Sequence, residues 1–76
     1  MSKHFPVISG RRMIRALVKL GYGVSRQRGS HIRLRHADSS KHRPTTVPLH
    51  RELHRGTLLA ILADADLTIE QLHDLM

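Results

Sequence analysis

The 76-residue chain contains no cysteine and no tryptophan, and only six acidic residues. Without cysteine, neither a disulfide nor a thiolate–metal site can staple the fold. Without tryptophan anchors, its basic surface is poorly suited to lying on a membrane. No apolar run is long enough to cross a bilayer. The opening Met1-Ser2-Lys3-His4-Phe5-Pro6 lacks the apolar stretch of a secretion signal. These absences predict a soluble, cytoplasmic protein. The length allows one domain, residues 1–76, with a thin core that is only marginally stable alone. A partner or bound ligand would add stability by mass action.

What is present in excess is positive charge. Thirteen Lys and Arg oppose six Asp and Glu, a net charge of +7 with histidine neutral and a pI near 11.4. All thirteen lie in residues 1–63, where Asp38 and Glu52 are the only acids, a balance of +11. Residues 64–76 carry four acids and a balance of −4. Ten of the thirteen are arginine, whose flat fork of donors suits phosphate oxygens better than an ammonium does. A basic body with an acidic end points to a polyanion as partner of the body.

Hydrophobic spacing gives the order of elements. After an extended lead over residues 1–8, Ser9 is placed to cap a helix over about 9–20, with Ile8 and Met13 at staple positions. Met13, Ile14, Leu17, Val18 and Leu20 form its apolar face, and Gly21 supplies a left-handed stop. Tyr22 to Arg28 reads as a strand with Val24 pointing inward, and Arg26 and Arg28 on one parity. Gly29-Ser30 is a turn signal. His31 to His36 alternates cleanly: Ile32 and Leu34 toward a core, His31, Arg33 and Arg35 away from it. Residues 37–44 read as a polar loop. Thr45 to Leu49 reads as a short strand, with Pro48 at an end or edge.

Beyond a basic connector, a second, well-buried helix opens at Gly56-Thr57 and carries Leu58, Leu59, Ile61, Leu62, Ala63 and Ala65. A third has Thr68 and Gln71 at capping-box spacing, with Leu67 and Leu72 as staple. The expectation is an α+β domain, α-β-β-β-α(-α), with an antiparallel three-stranded meander. Helices would cover one face, leaving a basic, histidine-bearing face open.

Chemistry concentrates at Gly29-Ser30-His31. Glycine lets a phosphate approach the backbone, serine adds a hydroxyl, and an imidazole moves protons in either direction near neutral pH. Arg26, Arg28, Arg33 and Arg35 would surround His31 with positive charge. That set suits RNA cleavage, in which a 2′-hydroxyl attacks the neighbouring phosphodiester. Guanidinium groups would stabilise the added negative charge, with no cofactor and no metal required.

Four stretches carry a family resemblance: Leu20-Gly21-Tyr22, Arg28-Gly29-Ser30-His31, Val47-Pro48-Leu49-His50, and Arg55-Gly56-Thr57 running on through Leu62. In this order, from about Ser9 to Leu72, the chain resembles the HicA family of mRNA interferase toxins. The Gly-Ser-His turn and the Gly-Thr-Leu helix opening are the most specific parts. The resemblance implies a fold similar to a double-stranded-RNA-binding domain and endoribonuclease action on mRNA. It implies His31 as the catalytic histidine; the surrounding Arg26, Arg28, Gly29, Ser30, Arg33 and Arg35 are the residues expected to hold RNA. It also implies a HicB-type antitoxin that blocks the site in a type II toxin–antitoxin pair. His50 is expected to have a structural or binding role.

Other functions compete with this one. A non-catalytic RNA-binding module would use the same basic face to grip phosphates and 2′-hydroxyls. A pure interaction protein would use it for the antitoxin. A DNA-reading pair of helices over 56–76 is disfavoured by the acidic last helix. A zinc site from His36, His42, His50 and His54 lacks a cysteine ligand, and Arg51-Glu52-Leu53 between the last two breaks the protease pattern.

Overall fold

A computed structural model describes residues 5–76. The expected lead over residues 1–8 and the signal-free opening therefore lie partly outside the described residues. The elements are α1 (Gly10–Leu20), β1 (Tyr22–Arg28), β2 (His31–His36), β3 (Thr45–Pro48), α2 (Arg55–Ala65) and α3 (Ile69–Leu75). The sheet has strand order β1-β2-β3, both pairings antiparallel. The α+β class and the α-β-β-β-α-α order are as expected from the sequence.

Local chemistry sets the boundaries. The Ser9 side chain accepts a hydrogen bond from the Arg12 backbone N–H, and Ile8 and Met13 are both buried beside that cap. Gly21 stops α1 at φ 115°, in the left-handed region, and its N–H donates to the carbonyls of Leu17 and Val18. Thr68 and Gln71 form the full capping box of α3, and Leu72 is buried beneath it. The Gly29-Ser30 hairpin has positive φ at Gly29 but not at Ser30, the pattern of a type II′ turn.

The core lies between one face of the sheet and the helices. Ile32, Leu34 and Val47 come from the strands, Met13, Ala16 and Leu17 from α1, and Leu58, Ile61 and Leu62 from α2. Each large side chain of this set contributes about 1.5–3 kcal/mol by leaving water. Gly10 lets α1 begin against the end of β3: its N–H donates to the His50 carbonyl, and a Cβ there would collide with the Pro48 carbonyl.

Several expectations need correction. Val18 is 51% exposed, and Ala16 takes the buried place on α1. Val24 is 57% exposed although it pairs with buried Leu34, because it sits on an edge strand that the helices overhang incompletely. On α2, Leu59 and Ala63 face solvent, so the helix is buried on one side only. The second helix starts at Arg55, one residue early.

The 37–44 loop is polar as expected, yet it is pinned. His42, 9% exposed, donates through Nδ1 to the Ala65 carbonyl at 2.6 Å. His36 accepts the Asp38 N–H at Nδ1 and donates from Nε2 to the Leu20 carbonyl, each at 3.0 Å. The two imidazoles pack 4.4 Å apart beside Tyr22, whose hydroxyl donates to the Arg43 carbonyl at 2.7 Å. These two histidines tie the loop to the end of α1 and the end of α2.

Candidate active site

Strict alternation along β1 would put Val24, Arg26 and Arg28 on one face. The register instead shifts between Val24 and Arg26: Val24 pairs with Leu34, Arg26 with Arg33, Gln27 with Ile32 and Arg28 with His31. This one-residue bulge at Ser25 switches parity. Val24 keeps the helical side, while Arg26 and Arg28 move to the open side with His31 and Arg33. The bulged Ser25 hydroxyl donates to the Arg33 carbonyl at 3.3 Å.

The result is a cleft of about 200 Å³ on the uncovered face, lined by Arg26, Arg28, His31, Arg33 and Thr46. Thr46 enters from β3, opposite Arg33, and its hydroxyl accepts a hydrogen bond from Arg33 Nη1 at 3.0 Å. That bond ties the guanidinium to β3. None of the lining residues is acidic. Arg26 stands directly opposite Arg33, an arrangement that costs stability unless an anion lies between them.

His31 is exposed at the first residue of β2, and its imidazole makes no hydrogen bond to the described residues. Its backbone is nevertheless held on both sides. Gln27 Nε2 donates to the Gly29 carbonyl at 3.1 Å, and the Leu49 N–H to the Ser30 carbonyl at 2.7 Å. The ring thus stands exposed on a braced hairpin. The space around Gly29 is unobstructed on its Cβ side.

The expected site residues separate into groups. Arg26, Arg28, His31 and Arg33 meet in the cleft, and Gly29 and Ser30 form the turn at its end. Arg35 shares the open face but pairs with Gly23 farther along the sheet and does not line the cleft. Thr46 joins the cleft residues from β3, a placement set by the strand register opposite Arg33. His50 is exposed beyond β3, with its ring 6.5 Å from that of His54. Among the described residues, no group of three or more His, Asp or Glu is arranged to hold a metal ion. No helix among them is long and apolar enough to cross a membrane.

The molecule is therefore a small basic α+β domain that displays an exposed histidine among guanidinium groups on an open sheet. Residues 10–67, about three quarters of the chain, match the family model described as the HicA toxin of bacterial toxin–antitoxin systems. The chain belongs to this family and is the toxin member of a toxin–antitoxin pair, which implies an antitoxin as partner. Among curated proteins, none matches it.

Proposed function

We propose that this toxin is a metal-independent endoribonuclease that cleaves mRNA in the cytoplasm, with His31 as its catalytic residue. The observation that carries this reading is an exposed imidazole in an arginine-lined cleft on the face the helices leave bare. Of the side chains lining that cleft, His31 is the one whose ring can serve as both proton donor and proton acceptor. It moves the proton as the 2′-oxygen bonds to phosphorus and the bond to the 5′-oxygen breaks. The products are a 2′,3′-cyclic phosphate and a 5′-hydroxyl. Arg26, Arg28 and Arg33 hold the phosphate and stabilise the charge that builds on its oxygens. The backbone at Gly29 and Ser30 gives the strand room to enter, and Arg35 holds RNA outside the cleft. One acid–base group supplies about 10²–10⁴ in rate, so the enzyme is a modest catalyst.

A HicB-type antitoxin neutralises the toxin by covering the open face. Induced expression without antitoxin should arrest growth and truncate transcripts. His31→Ala should abolish both while the protein remains folded. Arrest that persists in that variant would remove His31 from the mechanism.

A further inference from the structure

The side of the sheet opposite the cleft holds a second feature. Between α1 and β1 runs a groove of about 450 Å³, with Ile14, Val24, Ile32 and Leu49 as its apolar floor. Arg11, Arg15 and Gln27 form its rim. Val24 is 57% exposed there, and Val18, one turn along α1 from Ile14, is 51% exposed. Val24 is thus left in water on the groove wall, and Val18 is exposed on α1 outside the groove's lining. The groove thus joins an aliphatic floor to a cationic rim.

The charge around the groove says what covers it. Arg11 and Arg15 are one helical turn apart on α1, a like-charge spacing that weakens a helix. Arg11 and Arg12 also stand in the first turn, where the helix dipole favours acids, and α1 has no acid at all. Carboxylates from outside would relieve both costs. No aromatic ring lines the groove for base stacking, and the larger arginine cluster, with His31, lies on the other face of the sheet.

We propose that this groove docks a segment of the antitoxin that carries aliphatic side chains and carboxylates spaced to meet Arg11 and Arg15. The antitoxin then grips the toxin on the side away from His31 as well as covering the open face. The contact does not depend on how RNA is processed. It rests on the antitoxin partner that family membership implies, not on the nuclease reading.

The test uses the full-length toxin and the purified antitoxin of its pair. Amide hydrogen exchange of the wild-type complex should show protection over residues 11–18 and 22–27. Val18→Ser with Val24→Ser leaves the net charge untouched. It should weaken antitoxin binding by about tenfold per valine, while binding of a fluorescein-labelled RNA oligonucleotide stays unchanged. Arg11→Glu with Arg15→Glu should weaken antitoxin binding further and remove its salt dependence at this face. Protection confined to the open face would overturn the proposal, as would antitoxin affinity indifferent to all four substitutions. It would equally fail if the valine variant lost RNA binding but kept the antitoxin, or lost self-association instead.

Discussion

Removing Arg26 and Arg28 together should change how RNA binding responds to salt, by an amount the cleft geometry fixes. Three guanidinium groups line the cleft, those of Arg26, Arg28 and Arg33. For a single strand, each neutralised phosphate adds about −0.7 to the slope of log K against log salt, so three contacts contribute about −2. Raising salt from about 50 to 200 mM should therefore cost roughly twentyfold in affinity through the cleft alone. With both arginines changed to alanine, the slope should be shallower by about 1.4, and the cleft's share of that loss should shrink to about threefold. The assay is fluorescence anisotropy of a labelled RNA that is 2′-deoxy at the scissile residue, titrated at several salt concentrations. Arg51→Ala with Arg55→Ala, in the connector and at the start of α2 away from the cleft, is the charge-matched control. If both pairs flatten the slope equally, RNA responds to net charge and not to this face, and the assignment of Arg26 and Arg28 is wrong.

Other expectations follow from single contacts. Arg35→Ala should lower RNA cleavage less than Arg28→Ala, since Arg35 stands outside the cleft; steady-state rates on one RNA compare them. Gly21→Ala should destabilise the domain by about 2–3 kcal/mol, because φ 115° strains an L-residue and the new Cβ would lie 2.6 Å from His36 Nε2. Gly29→Ala, with φ 58° and open space, should cost only about 1 kcal/mol; thermal melts of the two variants test the difference. Burial, reinforced by the Asp64 carboxylate and opposed by the Arg43 guanidinium, raises the Tyr22 pKa above 10.0. The folded state therefore disfavours the phenolate, and stability present below pH 10 should decline as pH rises beyond it. Tyr22→Phe should lose about 1 kcal/mol with the Arg43 bond and should also lose that alkaline decline, as read by denaturant melts at several pH values. The Ser40 hydroxyl, then the Lys41 N–H and the nearby His42 and His36, lower the Asp38 pKa below 3.8. Its contribution is present above that pH and lost as pH falls through the folded value, and Asp38→Asn should flatten the acid limb of the same profile.

Most of the fold was legible because its signals are local. The Ser9 cap with its Ile8–Met13 staple, the Thr68–Gln71 box and the alternation of β2 each lie within a few residues, and each took the expected form. What the sequence hid depends on neighbours distant along the chain. Val18 and Val24 have core spacing, but no element reaches far enough to cover them. The bulge at Ser25 leaves no periodic trace, yet it decides that Arg26 and Arg28 share a face with His31. His42 looked like one more polar loop residue, and only the approach of Ala65 at the end of α2 gives it a buried partner. Thr46 joined the cleft through strand register, which spacing within one strand does not reveal.

The most direct measurement of the central claim is a single-turnover cleavage assay with purified toxin, a defined RNA and excess EDTA. Wild-type protein should release fragments ending in a 2′,3′-cyclic phosphate, and folded His31→Ala protein should bind the same RNA with little change while releasing none. Equal cleavage by the two proteins, or none by the wild type until a divalent ion is restored, would contradict the account.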